Sequence, residues 1–582
     1  MNSETKNCQN CKQNFIIESD DFVFYVKMGV PAPTWCPFCR FVRKMTFINE
    51  RSLYKRECAN CKSSIISMYN PENLSPVMCV KCYQSDDWGA TEYGVEYNFS
   101  ETFFKQFKSL KDKVPNRTLD QNERNGGGTE YSNFCYTSKD AYLSFNVTSS
   151  ENIKYSKYVL KKNKNSMDSL IFADSDRCYE VVSGRRNFNS SFLVESDQCI
   201  ESSFLYDCSN CVNCCLSTNL RNKSYVFLNQ QLSREDYLKA VKGLCLDTYS
   251  GQKKAKEVFE EIYKKAFHKF AKVRNGVNIV GDFIENSKNL YHCYGVTDAE
   301  NLKNVFFSMN VAKDSQDLIF TGREEECYEV AYGGRGMNRV ILSISSGSGS
   351  RNLFYTDNCK GCTDCFGCVN LKNKQHCILN KQYTKEEYEE LLPKIKQHMN
   401  EMPYVDKVGR VYTYGEFFPT ELSPFDYNET VAFEENPLTK EEILAQGYTW
   451  REMETKSHTA TIKSSELPDS IGDVTDEICK EVIECPNGGD PLTRCTSAFK
   501  IIPDELSFYK QMQLPLPRFC PNCRYHLRMK WRNQFRFYKR ECMCDLSNHA
   551  HAGKCEVEFE TSYAPDRPEI VYCEKCYQQE VI

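Results

Sequence analysis

The sequence predicts a mainly β protein with connecting helices, in which duplicated zinc-ribbon or treble-clef-like modules at both termini flank a duplicated parallel β-solenoid. Three observations carry this prediction. A cysteine pattern near the N-terminus recurs near the C-terminus, the middle of the chain contains a second duplication, and each middle half shows a beat of ten to twelve residues.

Six segments follow from these patterns. We expect a double zinc module at 1–90, the first solenoid half at 91–250, a connecting helix at 251–273, the second solenoid half with a C-terminal helix at 274–402, a connector at 403–475, and a second double zinc module at 476–582.

Composition narrows the class of protein. The chain has 582 residues with 41% hydrophobic and 26% charged residues, which is typical of globular proteins. No stretch approaches eighteen consecutive apolar residues, so no membrane span is expected. The start lacks the apolar segment of a secretory signal, so we expect an intracellular, cytoplasmic location. In that setting the 33 cysteines favour metal ligands or small buried residues over disulfides.

The terminal cysteine pattern is a duplication in one register. The pattern from Cys11 to Cys58 recurs 484 positions later, ending in the identical run Tyr-Lys-Arg-Glu-Cys at 54–58 and 538–542. From Cys61 the offset becomes 494, because the second copy carries a ten-residue insertion within 543–554. A similar insertion separates Cys485 from Cys495.

Each copy offers eight cysteines, which is enough for two zinc ions, and we expect about four zinc ions per chain. Sequential grouping is the simplest arrangement, although a cross-braced pairing fits the same spacing. Closed four-thiolate sites leave no position for water, so these zinc ions would be structural. The insertion adds accessory candidates, Cys544, His549 and His551. The predicted ligands are Cys8, Cys11, Cys36, Cys39, Cys58, Cys61, Cys79, Cys82, Cys485, Cys495, Cys520, Cys523, Cys542, Cys555, Cys573 and Cys576.

Basic and aromatic residues surround the predicted zinc knuckles. Positive groups that follow phosphates, interleaved with rings that stack on bases, are typical of single-stranded nucleic-acid sites. The alternative is a solvated basic face that offsets the thiolate charge or meets an acidic protein partner. The net charge of −5 does not favour nucleic acid by itself. The candidate contacts are Arg40, Arg43, Lys44, Arg56, Arg524, Arg528, Lys530, Trp531, Arg532 and Arg540.

The middle of the chain is duplicated as well. Cys208, Cys211 and Cys214 recur 151 positions later, and Cys-Tyr-Glu-Val at 178–181 recurs at 327–330. Short alternating stretches punctuated by Asn, Asp, Ser and Gly indicate a right-handed parallel β-solenoid. The cysteine runs at 208–215 and 359–368 resemble iron–sulfur ligands, but a ladder of small buried thiols inside narrow coils is favoured.

Helices are predicted mainly as caps and connectors. Thr384 and Glu387 form a capping box that opens a helix after the second half, and Ser233 does the same, less strongly, after the first. A further helix is expected from Thr439 to about Gly447.

Longer motifs point to a family. They are CPFCR at 36–40, CPNCR at 520–524, NKQYTKEEYEELLPKI at 380–395, YGEFFPTELSPFDYNET at 414–430 and SYAPDRPEIVYCEKCYQ at 562–578. Together they resemble large, uncharacterised zinc-ribbon-flanked repeat proteins of candidate-phylum bacteria and some large DNA viruses. The resemblance implies the same architecture and no assigned activity. Some members carry a CoA-transferase label, which no residues here support.

Two functions are compatible with this sequence. The first is a non-enzymatic zinc-stabilised scaffold that binds nucleic acid, RNA or single strands, through the basic faces of its terminal modules. The second is a structural or protein–protein interaction protein of a larger assembly. Spacing assembles no pair of nucleophile and base, so no catalytic residue is assigned. The oligomeric state is left open.

Overall fold

The protein is described by a computed structural model that covers residues 2–122, 125–452, 459–546, 548, 549 and 551–581, with the backbone alone at 309 and 310. The chain is mostly β structure, with helices at the termini and between two large parallel sheets. No helix within the described residues is long and apolar enough to cross a membrane.

The first large sheet has thirteen strands, all parallel except the last, short one. Paired strands are offset by twelve residues, as Asp176 with Phe188 and Val212 with Ser224, or by thirteen, as Lys157 with Leu170. The strands are Asn133–Tyr136, Lys139–Tyr142, Phe145–Thr148, Glu151–Lys154, Lys157–Leu160, Lys164–Met167, Leu170–Ala173, Asp176–Arg185, Phe188–Val194, Ser203–Tyr206, Val212–Thr218, Ser224–Phe227 and Gln230–Gln231.

The second large sheet repeats this plan with nine strands. Its register shift is twelve residues between Arg351 and Thr363 and thirteen between Asn338 and Arg351. The strands are Val273–Lys303, Phe306–Glu325, Tyr328–Gly333, Arg335–Ser346, Arg351–Phe354, Asp357–Cys359, Thr363–Phe366, Gln375–Ile378 and Lys381–Gln382.

The backbone takes a left-handed conformation, called a corner here, at every third residue. Four such corners make up one twelve-residue repeat of the sequence. Between Phe134 and Leu228 positive φ angles recur at every third position, with a single four-residue step from Lys161 to Asn165. Asn and Asp tolerate this conformation better than other side chains, which is why they punctuate the repeat. In the second sheet Gly361 takes such a corner at φ +61°, where an added Cβ would meet Asn373.

Twelve α-helices lie outside the large sheets in the described chain. Thr384 caps the helix Lys385–Glu401 with the predicted box to Glu387, and Ser233 and Thr439 cap the helices Arg234–Gly243 and Lys440–Ala445. The helices are α1 Ser19–Met28, α2 Pro37–Met45, α3 Val80–Gln84, α4 Phe103–Lys113, α5 Arg234–Gly243, α6 Tyr249–Lys265, α7 Lys385–Glu401, α8 Val431–Glu435, α9 Lys440–Ala445, α10 Pro503–Met512, α11 Pro521–Met529 and α12 Glu574–Val581.

Short two-stranded pairings carry the terminal modules and tie them to the rest of the chain. The antiparallel hairpins are Glu4–Asn7 with Asn14–Ile17, Tyr54–Glu57 with Ser64–Ser67, Tyr404–Val405 with Val411–Tyr412, Ile483–Glu484 with Ala498–Phe499, and Tyr538–Glu541 with Glu558–Thr561. Two parallel pairs join Val77–Met78 to Asn116–Arg117 and Phe267–Lys269 to Ile570–Tyr572. The second of these pairs links the two large sheets' junction to the C-terminal module.

The main apolar core lies between the second sheet and the N-terminal segment. Phe41 of α2 packs on Phe306 with ring centroids 4.2 Å apart, and Phe103 of α4 packs on Tyr355 at 5.1 Å. A second core joins α6 and α10 to the first sheet. The terminal segments are therefore packed into the body of the molecule through extensive apolar contact.

Candidate metal centres and the buried basic helices

Four groups of four cysteines come together in sequential order along the chain. Within each group all Sγ atoms lie within 4.8 Å of one another, and no cross-braced combination is found among the described residues. The groups are Cys8, Cys11, Cys36 and Cys39; Cys58, Cys61, Cys79 and Cys82; Cys485, Cys495, Cys520 and Cys523; and Cys542, Cys555, Cys573 and Cys576. The first two belong to residues 2–84, the N-terminal module, and the others to residues 483–581, the C-terminal module.

Each group is built from a hairpin turn and the start of a helix. In the first group Cys8 and Cys11 lie in the turn of a hairpin, and Lys12 closes the turn in the left-handed region at φ 60°. Cys36 then caps α2, and Cys39 lies in its first turn. The second group repeats this plan with Lys62 at φ 61° and α3. This local geometry makes two ligands from a tight turn converge with two ligands from a helix start.

The sulfur spacing fits a tetrahedral ion. A tetrahedron with metal–sulfur bonds of about 2.3 Å has edges of about 3.8 Å. The Sγ atoms of Cys11 and Cys36 are 3.8 Å apart, as are those of Cys485 and Cys523. Those of Cys61 and Cys79 are 3.9 Å apart. The donor set and its spacing therefore suit Zn²⁺.

Backbone donors stabilise one thiolate in every group. The N–H of Cys36 donates to Cys8 Sγ at 3.2 Å, and the N–H of Cys79 donates to Cys58 Sγ at 3.2 Å. The C-terminal module repeats both bonds, from Cys520 to Cys485 at 3.4 Å and from Cys573 to Cys542 at 3.2 Å. Since helix starts are electropositive, these donors favour the deprotonated, metal-binding form of the thiol.

The thiol pKa values agree with this view for Cys8 and Cys58, whose pKa values are lowered, whereas the pKa of Cys485 is raised, chiefly by its hydrogen bond with Cys520, and that of Cys542 is raised by burial. Hydrogen bonding to Cys36 and then to Cys39 lowers the pKa of Cys8, and hydrogen bonding to Cys485 and then to Cys523 lowers the pKa of Cys520. The side chain of Ser63 is the largest cause that lowers the pKa of Cys61 to about 6. Each of these three groups thus contains a thiol that loses its proton readily, as a metal ligand must.

The accessory residues form a fifth group that shares one cysteine with the fourth. Cys544, His549, His551 and Cys576 also lie with their ligand atoms within 4.8 Å of one another. The insertion contains the first three, and no spacing in the sequence connects them to Cys576, because the insertion is far from that residue along the chain.

The basic residues predicted to face a nucleic acid are mostly buried, which corrects the expectation of an exposed basic face. Six of the ten are at most 8% exposed and cannot reach a phosphate in this fold. They are Arg40 at 2%, Arg43 at 0%, Lys44 at 1%, Arg524 at 4%, Arg528 at 2% and Arg532 at 6%.

Carboxylates of the same chain neutralise these buried cations. Arg43 bonds Glu329 at 3.0 Å and Glu416 at 3.2 Å. Lys44 lies 4.0 Å from Glu329, and burial lowers its pKa to about 8. Arg532 pairs with Glu435 at 2.5 Å.

The remaining four candidates have different surroundings. Lys530 is exposed, while Arg56 and Arg540 are half-buried and donate to the carbonyls of Asn70 and Ala564 at 3.1 Å. Trp531 packs against Tyr263 of α6 with ring centroids 5.0 Å apart. The ten residues therefore form no common surface.

Each terminal module packs on a large sheet through an equivalent arginine–aspartate ion pair. The N-terminal module packs on the second sheet and the C-terminal module on the first. Arg40 of the N-terminal module bonds Asp317 of the second sheet at 2.8 Å. Arg524, its counterpart 484 positions later, lies 3.3 Å from Asp168 of the first sheet. Asp168 and Asp317 occupy matching left-handed corners 149 positions apart, the same offset that separates the Cys-Tyr-Glu-Val runs.

A tyrosine pair accompanies each of these ion pairs. Tyr25 packs edge-on against Tyr328 at 5.4 Å, and its counterpart Tyr509 packs against Tyr179 at 6.0 Å. The sequence contained a signal for part of this interface, since Tyr179 and Tyr328 belong to the repeated Cys-Tyr-Glu-Val motif. It contained no signal that each module would pack on the more distant half.

The cysteine runs of the large sheets are buried and bonded as a ladder. The thiols of Cys208 and Cys214 donate to the carbonyls two residues before them, at 3.4 and 3.6 Å. Ser196 and Ser202, twelve residues earlier, donate in the same way at 3.0 and 2.9 Å. Thiols thus stack on hydroxyls, Cys208 on Ser196 and Cys214 on Ser202, and these cysteines form none of the metal-ligand groups found in the described chain.

Comparisons with known proteins add little. No protein-family model matches the chain, and no curated protein matches it. One solved structure that a search returns is from Desulfovibrio desulfuricans G20 and is labelled as an acetyltransferase. It has 12% identity and a TM-score of 0.09 over 48% of this chain and 84% of that one, so it supports no statement about fold or activity.

Proposed function

We propose that the protein is a non-enzymatic, zinc-stabilised scaffold for protein–protein interaction. Its two large sheets would be the halves of a parallel β-solenoid, and its terminal modules would clamp those halves together. The hand of the coil stays a prediction. The four cysteine groups would hold about four structural zinc ions, because four-thiolate sites with tetrahedral spacing bind Zn²⁺ without an open position for chemistry.

The observation that carries the proposal is that the basic side chains of α2 and α11 point into the body of the protein. Arg40, Arg43, Arg524 and Arg528 turn inward onto carboxylates of the large sheets, at distances of 2.7–3.3 Å. A nucleic-acid surface needs cations that face solvent and release counterions on binding. Buried pairs serve instead to fix the position of one element on another, so they support a rigid scaffold over a nucleic-acid reader.

Zinc removal combined with a binding assay tests the proposal. Elemental analysis of purified protein should give zinc and no iron. Chelation should lower the unfolding temperature of the whole chain, because short modules of this kind depend on the metal to fold. The matched control is chelator at the same concentration with excess zinc restored, which should recover the unfolding temperature.

The same protein should then be titrated with single-stranded RNA and DNA at several salt concentrations. We expect no binding that weakens steeply with salt, because the named cations are already paired. Tight, salt-dependent binding would overturn the proposal in favour of a nucleic-acid scaffold. Substantial iron would instead reopen the cysteine ladders as redox centres.

A further inference from the structure

The insertion in the C-terminal module changes the second knuckle of that module. In the N-terminal module Cys58 and Cys61 are three residues apart, whereas Cys542 and Cys555 are thirteen apart. Among its described residues, the two ends of the added segment are held by backbone bonds. Met543 N–H donates to the carbonyl of Val571 at 3.0 Å, and Cys555 N–H donates to the carbonyl of Cys544 at 2.8 Å. It carries the three ligand-type side chains that the N-terminal module lacks.

We propose that this module holds a binuclear zinc centre in which the thiolate of Cys576 bridges two ions. The first ion would bind Cys542, Cys555, Cys573 and Cys576. The second would bind Cys544, His549, His551 and the same Cys576. Both groups have all ligand atoms within 4.8 Å of one another, and Cys576 is common to both. The inference rests on the proposed function, in which the four-cysteine groups bind zinc.

His549 is oriented as a metal ligand would be. Its Nδ1 lies 3.1 Å from Cys544 Sγ, and its Nε2 lies 2.7 Å from Glu580 Oε1 of α12. A carboxylate on one ring nitrogen fixes the tautomer and makes the other nitrogen a better donor to a metal. The side chain is 1% exposed, so this geometry is held by the surrounding chain.

The hydrogen bonding of His551 is a second, independent observation in favour of a metal ion. Its Nδ1 lies 2.8 Å from the carbonyl oxygen of Gly553, which only accepts hydrogen bonds, so Nδ1 carries the proton. Nε2 must then carry the lone pair, and this atom is buried without a hydrogen-bond partner. A buried acceptor without a partner is costly, and coordination of an ion at this position removes the cost.

Charge favours the second ion. One Zn²⁺ among four thiolates leaves an excess of negative charge, and Cys544, 0% exposed, lies beside this group. A second Zn²⁺ with Cys544 as thiolate and two neutral imidazoles reduces that excess. With four protein ligands the second ion has no open position, so the centre is structural and not catalytic.

Metal stoichiometry of the full chain tests the proposal, with the N-terminal module as the matched control. Native mass spectrometry should show five zinc ions, one for each group. His549→Ala with His551→Ala should lose one ion and keep four, whereas His376→Ala, in the second sheet, should keep all five. Cys576→Ser should lose two ions, and its counterpart Cys82→Ser should lose one.

Cobalt substitution tests the bridge itself. Two Co²⁺ ions that share a thiolate couple magnetically, so the EPR intensity should account for only three of five bound ions. The intensity should match the full cobalt content in the double histidine variant, in which one partner of the pair is gone.

The outcomes separate this inference from the proposed function. Four zinc ions in the wild type, unchanged in the double histidine variant, would overturn the binuclear centre and leave the zinc scaffold intact. Five ions with full EPR intensity would overturn the bridge. A protein without zinc, or one whose stability does not depend on zinc, would overturn the proposed function together with this inference.

Discussion

At the scale of single residues, the unusual feature is the burial of arginine beside zinc ligands. Arg40 and Arg524 each follow the last cysteine of a knuckle directly, so the helix that a metal site begins also aims a cation into the body of the molecule. A buried charge is stable only when it is paired and hydrogen-bonded. The acidic residues at the sheet corners therefore neutralise cations that the modules bury.

Asp168→Asn tests this dependence. Asp168 is fully buried, accepts a hydrogen bond from Arg528 at 2.7 Å and lies 3.3 Å from the guanidinium of Arg524 as an ion pair. The amide keeps the shape but removes the charge, and we expect the free energy of unfolding to fall by about 3–5 kcal/mol, because two buried guanidinium groups lose their shared counterion. Denaturant titration of purified wild type and variant measures the change.

The control for this prediction is Asp174→Asn. Asp174 lies two corners further along the same sheet at φ 51°, but its side chain is exposed. Asn tolerates a left-handed corner as well as Asp does, so stability should change by no more than about 0.5 kcal/mol. If Asp168→Asn lowered the free energy of unfolding as little as Asp174→Asn, the ion pairs would contribute little to stability.

At the scale of elements, the large sheets are held by an internal row of small polar side chains. Ser and Cys side chains that stack twelve residues apart donate to the carbonyl two residues earlier, and Ser and Asn oxygens accept from the backbone N–H one repeat later. Ser202, for example, donates to the carbonyl of Ile200 at 2.9 Å and accepts from Cys214 N–H at 3.1 Å. This row satisfies backbone groups that the narrow interior hides from water.

Cys208→Ser with Cys214→Ser tests the ladder. Serine already occupies the equivalent positions one repeat earlier, Ser196 below Cys208 and Ser202 below Cys214, so we expect a change of at most about 1–2 kcal/mol in stability and no change in metal content. Thermal unfolding and elemental analysis provide the readouts. Loss of iron in the variant would show that these thiols are ligands, contrary to the ladder.

Local patterns in the sequence predicted local structure well. The repeat length, the helix starts at Thr384 and Ser233 and the terminal cysteine groups all depend on neighbouring residues or on a duplicated register. The predicted exposure of the basic side chains of α2 and α11 was wrong, because a run of basic residues has the same sequence pattern whether the side chains face solvent or a carboxylate. Asp168 and Asp317 lie more than 270 residues from their partners, and no spacing rule reaches that far.

At the scale of the whole molecule, the basic helix of each terminal module packs on the large sheet that is farther from it along the chain. The N-terminal module packs α2 on the second sheet, and the C-terminal module packs α11 on the first. The two contacts cross between the halves of the chain. The halves are therefore held together by tertiary contacts as well as by their covalent connection.

A cut between the halves tests this crossing. A protease recognition site inserted between Gly243 and Leu244, where α5 ends before α6, should be accepted, because Gly243 is exposed and nothing lies within 4 Å of the position its Cβ would take. After cleavage, the fragments 1–243 and 244–582 should elute together on size exclusion, since Arg40–Asp317 and Arg524–Asp168 both span the cut. Chelation should weaken the complex, because the metal organises the helix starts that carry both arginines.

The control is the double variant Arg40→Met with Arg524→Met, whose fragments should separate after cleavage under conditions in which those of the wild type do not. Separation of cleaved wild type that still holds its zinc would show that the covalent connection, and not reciprocal docking, unites the halves.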